Sequence, residues 1–408
     1  MSKFSPAANH LEPRRVTPAD SPCFFGYYDK SPWDPSGHRM LACRADFDGR
    51  PPGPEDVLTI GIVDLETEGF TPVADTRAWN WQQGCMLQWL DNRRIVFNDR
   101  REKRFVAVIF EVEAGERWEL PRPVYSVHAE RGIAASLNFA RLHRLRPGYG
   151  YAGVEDPTTH QCAPTDDGLS IMSLETGEAE LKLSIAKARD RLGSDTPGAD
   201  PGRHWMNHAQ FAPGGERLAV MHRWETGDPE LPWRTRLLTI GPDGGEPYPL
   251  VDDGVCSHYD WYNDQCLLGF ARVRSGRSAV DGFHLFTDRT GEASPFARSR
   301  LTGDGHCSFS PDHRWLLNDT YPDPVDGKRT LMLVRVEDEA VFEVGRFYGP
   351  LPELIDTRCD LHPRWSRDGK VICFDSVHEG TRGMYLVDVS PILEGRVKPI
   401  TASKEGST

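Results

Sequence analysis

The sequence lacks the features of a membrane-inserted, secreted or nucleic-acid-binding protein. No apolar run in its 408 residues approaches the roughly 18 residues that a membrane span requires. The amino-terminal residues 1–6 contain no apolar stretch like that of a secretory signal. The net charge is −13, and nucleic-acid binding needs a basic surface to neutralise phosphates. We therefore expect a cytoplasmic protein that binds neither nucleic acid nor membrane, as a monomer or a small homo-oligomer.

Two further kinds of feature are scarce. The nine cysteines are odd in number and have no framework spacing, which favours reduced thiols over disulfides. Segments with helical periodicity are few and short, and the clearest one covers only residues 183–192. No nucleophilic serine motif and no paired-carboxylate signature stands out, which disfavours a hydrolase.

A short turn signature recurs seven times. Each copy has an aromatic or apolar residue, two or three turn-forming residues and then a β-like apolar run, as in Trp33–Gly37 followed by Met40–Cys43. The seven copies end at residues 37, 93, 132, 215, 265, 313 and 369. Units of this length with several short strands each are typical of β-propeller blades. The sequence therefore predicts an all-β, seven-bladed β-propeller.

The same pattern predicts the domain organisation. No linker or composition break divides residues 21–408, which we expect to form a single propeller. The first 20 residues form a polar lead or lend one strand to close the ring. The wide gap between the third and fourth repeats predicts one long insertion, about residues 149–204. Long loops on a rigid scaffold carry recognition more often than packing.

Histidine occupies the same repeat position four times. The residues seven positions before the end of each turn are Lys30, Met86, Tyr125, His208, His258, His306 and His362. Only 14 of the 408 residues are histidine, so chance would rarely place four of them in this way. The position lies near the start of each innermost strand, and we expect the side chains to converge at one mouth of the central channel. Imidazole there is suited to metal binding or to general base catalysis.

Side chains two residues earlier should share the same strand face. Three blades then read as pairs of potential ligands: Cys256 with His258, Asp304 with His306, and Asp360 with His362. Cysteine, aspartate and histidine are zinc ligands, and the last two also suit manganese. We predict a divalent metal, zinc rather than manganese, held by members of the set His258, His306, Asp360, His362 and Cys256. The structural alternative is a ring of hydrogen-bonded spacers.

Further candidates lie near the same mouth. Arg223 is a potential carboxylate clamp, although an inter-blade salt bridge would use the same residue type. The loop 138–151 concentrates basic and aromatic residues that could stack on sugars and pair with acidic groups, or could simply pack the blade edge. The remaining binding candidates are His128, Arg146, Tyr151, Tyr28 and Gln82.

Several strings of the chain resemble the ulvan lyase superfamily of seven-bladed polysaccharide lyases. They are Phe25-Gly-Tyr-Tyr-Asp-Lys-Ser-Pro32, Trp81-Gln-Gln-Gly-Cys-Met-Leu-Gln-Trp89, Ser136-Leu-Asn-Phe139, Arg146-Pro-Gly-Tyr-Gly-Tyr151, His222-Arg-Trp224 and Cys359-Asp-Leu-His-Pro-Arg-Trp365. The resemblance extends over about residues 21–390. More distantly, the chain is similar to oligogalacturonate lyase, a cytoplasmic propeller with a His/Gln manganese site.

The resemblance implies roles for individual residues. Arg223 would hold the substrate carboxylate, His306 and His362 would bind metal, and His258 would stand where the oligogalacturonate enzyme has its base. Ulvan lyases use a Tyr and a His pair around the scissile bond. No tyrosine follows closely on Asn207-His208 in the sequence, and the resemblance leaves His128 and His143 to supply a histidine pair.

The implied activity is a carbon–oxygen lyase that cleaves uronic-acid-containing oligosaccharides or polysaccharides by metal-assisted β-elimination. A base removes the C5 proton and an acid protonates the departing oxygen. His208 or His258 is the expected base, and Tyr149 or Tyr151 the expected acid. The alternative is a non-catalytic propeller that binds carbohydrate or protein, because fold does not fix function.

Overall fold

The computed structural model describes residues 11–67, 69–191, 202–275 and 278–400. Within these ranges helical structure is limited to α1 (Phe139–Leu145), α2 (Ile185–Asp190), α3 (Ser390–Leu393) and one 3₁₀ turn (Ile355–Thr357). The helical period predicted for residues 183–192 corresponds to α2. None of the helices in these ranges is long and apolar enough to span a membrane.

The described strands form seven antiparallel four-stranded sheets. A two-residue strand, β1 (Arg14–Arg15), precedes the first sheet. Blade one contains β2 (Cys23–Phe24), β3 (Arg39–Arg44), β4 (Leu58–Asp64) and β5 (Gly69–Thr76). Blade two contains β6 (Gln88–Trp89), β7 (Arg94–Arg101), β8 (Arg104–Glu111) and β9 (Arg117–Leu120). Blade three contains β10 (Ser126–His128), β11 (Ile133–Ser136), β12 (Gly168–Ser173) and β13 (Ala179–Ser184).

The second half of the chain repeats the arrangement. Blade four contains β14 (His204–Phe211), β15 (Leu218–Asp228), β16 (Leu231–Gly241) and β17 (Gly244–Val251). Blade five contains β18 (Cys256–Trp261), β19 (Cys266–Ser275), β20 (Ser278–Thr287) and β21 (Ala293–Pro295). Blade six contains β22 (Ser308–Phe309), β23 (Trp315–Asp319), β24 (Lys328–Arg335) and β25 (Val341–Tyr348). The predicted seven-bladed β-propeller is confirmed.

The seventh blade combines both ends of the described chain. It contains β26 (Arg364–Trp365), β27 (Val371–Ser376), β28 (Gly383–Asp388) and the amino-terminal strand β1. Arg14 pairs with Leu386 and Arg15 with Tyr385. The Arg15 guanidinium also donates to the backbone oxygen of Thr381 at 2.9 Å. An edge strand of this sheet is thereby covered, and the ring is closed by main-chain hydrogen bonds.

The recurring signature forms the turn between the first two strands of each blade. In blade six the Ser310 hydroxyl donates to Asp312 at 2.6 Å, and in blade seven Ser366 donates to Asp368 at 2.7 Å. The turn then ends in left-handed backbone, with φ of 57° at His313 and 69° at Gly369. Glycine is common at this point because it adopts positive φ without a Cβ clash.

Two segments, rather than one insertion over 149–204, interrupt the regular blades. One connects β11 to β12 and carries α1; the other connects β13 to β14 and carries α2. The predicted range contains β12 and β13, which are two ordinary blade strands. Residues 192–201 of the predicted insertion lie outside the described residues.

Candidate metal and active site

Three of the seven equivalent repeat positions have an unusual local backbone. Met86, His208 and His362 all have positive φ, at 56°, 52° and 40°. Non-glycine residues rarely adopt this conformation, and it often accompanies a functional site. The histidine rings from blades four to seven come together around Tyr27, whose ring centroid lies within 6.5 Å of each of them.

His306 is oriented by a carboxylate at the end of the neighbouring strand. Its Nδ1 lies 2.9 Å and 3.0 Å from the two carboxylate oxygens of Asp319, and both residues are buried. Burial opposes protonation, but Asp319 outweighs it and raises the pKa of His306. The other ring nitrogen, Nε2, is buried without a hydrogen-bond partner. A histidine held this way resembles a metal ligand with its orienting carboxylate.

Blade seven supplies the other potential ligands. Ligand atoms of His306, Asp360 and His362 all lie within 4.8 Å of one another. The Nε2 of His362 lies 4.0 Å from an Asp360 carboxylate oxygen and, like that of His306, has no hydrogen-bond partner. Burial and His306 hold the pKa of His362 well below its usual range, which keeps this imidazole neutral.

Asp360 is itself held firmly in place. Arg358 Nε lies 2.6 Å from one carboxylate oxygen, and an Arg329 nitrogen lies 3.2 Å from the other. Burial disfavours its charge, but Arg358, His306 and Arg329 together lower the pKa of Asp360, so the carboxylate is ionised. Two unpartnered imidazole nitrogens beside an ionised carboxylate fit a divalent metal, and this donor set suits zinc or manganese.

His258 and Cys256, the two further candidates of the predicted ligand set, lie outside this three-residue group. The His258 ring centroid is 4.3 Å from that of His306, but its Nδ1 bonds Asp304 at 2.9 Å. Burial raises the pKa of the Cys256 thiol to about 12, as expected for a core residue. The strand register shifts between Cys256 and Tyr259, so a β-bulge breaks the strict alternation that the prediction assumed.

Tyr27, which the sequence analysis did not select, is at the centre of the cluster. Its ring is stacked on His208 with centroids 5.0 Å apart and planes 11° apart. It also meets the rings of His362 at 4.9 Å and His306 at 5.9 Å. The hydroxyl is buried and has no hydrogen-bond partner among the described residues, and burial raises the pKa of Tyr27 well above its usual range. The sequence signals were its place in the quoted string Phe25–Pro32 and its position three residues before Lys30, the blade-one member of the repeat position.

His208 belongs to a polar chain that crosses three blades. Its Nδ1 lies 3.1 Å from the Tyr125 hydroxyl and 3.4 Å from Gln83 Nε2. Gln83 Nε2 in turn donates to the Tyr125 hydroxyl at 2.8 Å. Burial and the charge of Arg223 lower the pKa of His208 well below its usual range. The imidazole is therefore neutral near pH 7 and able to accept a proton.

Arg223 differs from the other buried arginines. Arg141, Arg236, Arg329, Arg358, Arg364 and Arg382 each lie within 4.0 Å of an aspartate. Within the described residues Arg223 has no such partner; it contacts the Thr235 hydroxyl at 3.0 Å and the Met221 sulfur at 3.3 Å. Burial and the nearby Arg146 lower its pKa. An uncompensated buried guanidinium is costly, which favours a site for an external anion.

Three more predicted site residues are buried beside the cluster, and each already makes a side-chain hydrogen bond: Tyr149, Tyr28 and Gln82. The Tyr149 hydroxyl accepts from Arg358 at 3.0 Å, and its ring centroid lies 5.4 Å from that of His208. The Tyr28 hydroxyl donates to the backbone oxygen of Tyr259 at 3.0 Å. Gln82 Nε2 donates to the Arg358 carbonyl at 2.9 Å, while its Oε1 has no partner.

Three predicted site residues are positioned for other roles. Tyr151 is fully buried, stacks on Phe139 at 4.3 Å and bonds Asn98, which makes it a core residue. His128 Nε2 bonds the carbonyl of Pro213 at 2.9 Å, at the opposite, turn-bearing end of its strand. His143 is exposed on α1. Each of these residues is close in sequence to a predicted site motif, but its side chain lies away from the histidine cluster.

One exposed aromatic at the site was also missed. Tyr321 follows β23, and its ring centroid lies 6.0 Å from that of His306 and 6.4 Å from that of His258. Neither Tyr321 nor Asp319 belongs to the repeat position, since both come from the end of a second strand. A carboxylate directly ending an apolar strand is the only signal that could have pointed to Asp319.

Comparisons with known proteins define the fold class. No family model matches the chain, and no curated protein matches its sequence. Among solved structures, the chain is similar to an oligogalacturonate lyase from Vibrio parahaemolyticus, with 15% identity and a TM-score of 0.64 over 95% of this chain and 96% of that one. It is also similar to an oligogalacturonate lyase in complex with manganese, with 15% identity and a TM-score of 0.66 over 94% and 95%.

Propellers with other functions are similar too. The tricorn protease matches with 11% identity and a TM-score of 0.51, over 94% of this chain and 36% of that one. At such identities the likeness establishes a seven-bladed β-propeller fold and no particular activity. The specific resemblance to ulvan lyases stays a prediction.

Proposed function

We propose that the protein is a carbon–oxygen lyase that cleaves uronate-containing oligosaccharides by β-elimination. The observation that carries this proposal is that Arg223 is buried and has no carboxylate partner among the described residues. Near it are a neutral His208, a Tyr27 hydroxyl with no described hydrogen-bond partner, and a potential metal site. The likeness in fold to two oligogalacturonate lyases supports it.

Arg223 is the group best suited to hold the uronate carboxylate. The C5 proton of a uronate is weakly acidic until the charge of the adjacent carboxylate is offset. A planar guanidinium can make two parallel hydrogen bonds to that carboxylate. Its fixed position in β15, with Nε bonded to Thr235, leaves other N–H groups for the substrate.

A metal would be held by His306, Asp360 and His362. When bound there, a divalent ion supplies Lewis-acid stabilisation of the negative charge that develops on the substrate carboxyl group. The chain's own contribution is to fix the ligands, through Asp319 on His306 and through Arg358 and Arg329 on Asp360.

His208 is the proposed base. If its Nδ1 carries the proton and donates to the Tyr125 oxygen, Tyr125 can donate onward to Gln83 Oε1, which lies 3.2 Å away. This tautomer leaves the Nε2 lone pair free to accept the C5 proton. The low pKa of His208 keeps the lone pair available at neutral pH.

Tyr27 is the proposed acid, in place of the predicted Tyr149 or Tyr151. As His208 takes the C5 proton, the electron pair of that C–H bond forms the C4–C5 double bond and the C4–O4 bond breaks. The Tyr27 hydroxyl gives its proton to the departing O4. The raised pKa of Tyr27 ensures that the phenol is protonated before the reaction, and solvent exchange afterwards restores both groups.

The test is direct assay of elimination. Protein loaded with zinc or manganese is incubated with oligogalacturonate, oligoglucuronate and sulfated uronate oligosaccharides, and ultraviolet absorbance reports the conjugated double bond of the product. We expect product formation with at least one uronate and loss of activity on chelation. No product from any uronate with either metal would overturn the lyase assignment.

Variants make the assay specific to this site. His208→Ala and Tyr27→Phe should each reduce kcat by about 10²- to 10⁴-fold, the range for loss of a general acid or base. Tyr151→Phe and His128→Gln, at positions away from the cluster, are the matched controls and should retain activity. Tight saccharide binding without turnover would instead favour a carbohydrate-binding propeller.

A further inference from the structure

Arg146 lies between two aromatic rings at the mouth of the propeller. It caps the carboxyl end of α1, and its guanidinium carbon lies 4.6 Å from the centroid of Tyr149 and 4.7 Å from that of Trp233. Tyr149 follows in the same loop, whereas Trp233 belongs to β16 of the next blade. Two ring faces fix the plane of the guanidinium while leaving its edge N–H groups available.

This side chain has no carboxylate partner. Within the described residues no aspartate or glutamate lies within 4.0 Å of Arg146, and its Nε is buried without a hydrogen bond. Its one hydrogen bond runs from NH1 to the carbonyl of Pro147 at 3.4 Å. Arg144, two residues earlier on α1, instead pairs with Asp156 at 2.7 Å. Near the end of this short helix, Arg144 is thus neutralised by a carboxylate, whereas Arg146 is held between two rings without one.

Arg146 is close enough to the site to influence it. Its charge contributes to the lowered pKa values of both Arg223 and His208. Tyr149, whose ring the guanidinium of Arg146 covers, has its ring centroid 5.4 Å from that of His208. Two guanidiniums without carboxylate partners among the described residues therefore lie near His208, in a chain whose net charge is −13. Mutual repulsion of this kind is relieved when anions bind both positions.

We propose that Arg146, held between Tyr149 and Trp233, binds a second anionic group, a carboxylate or a sulfate ester, on the sugar adjacent to the uronate bound by Arg223. The preferred substrate then carries negative charge on both sides of the cleaved bond. This inference rests on the proposed function for its choice of ligand. Trp233 acts as a positioning residue that keeps the guanidinium in plane.

The test compares substrates that differ by a single charge. The substrates are a uronate disaccharide unit with both carboxylates free, the same unit with the neighbouring carboxylate methyl-esterified, and a uronate next to a sulfated sugar. Arg146→Gln should lower kcat/KM about 10- to 100-fold on substrates with two anionic groups and have little effect on the singly charged one. Arg144→Gln is the matched control. Comparison of the carboxylate and sulfate substrates identifies which anion the site prefers.

Trp233→Leu tests the positioning role. It should raise KM for doubly charged substrates without changing kcat on the singly charged substrate. An equal loss on all substrates in Arg146→Gln, or no loss on any, would overturn the proposal.

A binding experiment separates this inference from the lyase assignment. Calorimetry with saturated, uncleavable saccharides measures affinity without turnover. If binding of the doubly charged sugar depends on Arg146 while no elimination occurs with any metal, the second subsite stands and the lyase assignment fails. If elimination occurs but the charge on the neighbouring sugar does not matter to wild type, the subsite proposal fails alone.

Discussion

The carboxylate of Asp319 bonds the Nδ1 of His306, with both oxygens within 3.0 Å. The pair is buried and brings together the end of β23 and the segment that leads into β22. With Nδ1 engaged, the lone pair of Nε2 is directed away from Asp319 and towards Asp360 and His362. This relationship fixes the tautomer that a metal ligand requires.

Asp319→Asn should weaken metal affinity by about 10- to 100-fold, the usual effect of losing a carboxylate that orients a histidine ligand. The amide preserves the shape of the side chain but loses its charge. Affinity for zinc and manganese can be measured by competition with a chelating dye. Asp338→Asn, which removes an exposed carboxylate paired with Arg335 in the same blade, is the control. Equal affinity in wild type and Asp319→Asn would contradict the proposed orienting role.

Tyr27→Phe should leave stability unchanged or slightly increased, because the deleted hydroxyl is buried and unpaired. Tyr125→Phe removes a hydroxyl that contacts Gln83 and His208, and should cost about 1 kcal/mol. Chemical denaturation of both variants measures the difference. A large loss of stability in Tyr27→Phe would show that its hydroxyl has a structural partner rather than a free proton to donate.

Arg223→Met should retain or increase the free energy of unfolding by about 1 kcal/mol, since it removes a buried charge without a carboxylate partner. Arg364→Met is the comparison. It leaves the buried carboxylate of Asp375 without the guanidinium that lies 3.0 Å away, and it should lower the free energy of unfolding by about 3–5 kcal/mol. Urea unfolding of the two variants is the measurement. If Arg223→Met is as destabilised as Arg364→Met, Arg223 is a structural residue rather than an anion site.

The stability of the protein should fall as pH drops below about 6.5. His222 is fully buried, with its Nε2 3.0 Å from His204 Nδ1, and burial and His204 lower its pKa well below the usual range of histidine. The unfolded chain therefore binds more protons than the folded one as pH falls through 6.5. Each extra proton changes the free energy of unfolding by about 1.4 kcal/mol per pH unit.

Unfolding in urea at a series of pH values tests this dependence. His222→Gln should flatten the decline between neutral and acidic pH, while His38→Gln, in an exposed turn, should follow wild type. An unchanged slope in His222→Gln would show that other groups control the acid sensitivity.

The seven turns could be predicted because their residues act locally. Asp, Ser and Gly fix a tight turn through nearby hydrogen bonds and positive φ, and β-like runs follow, so spacing alone revealed the blades. The place of Cys256 outside the group of His306, Asp360 and His362 has a matching reason. A β-bulge depends on pairing with β19, so the alternation of β18 could not be read from its own sequence.

The sequence by itself determined the blade count and the recurrence of histidine at one repeat position, because turn chemistry and strand patterning are properties of short segments. Only the tertiary structure brought Tyr27 and Asp319 to those histidines. It also separated Arg223, which lacks an aspartate, from the buried arginines that have one. Those relationships join residues far apart in the chain, and the packing of blades around a common axis decides them.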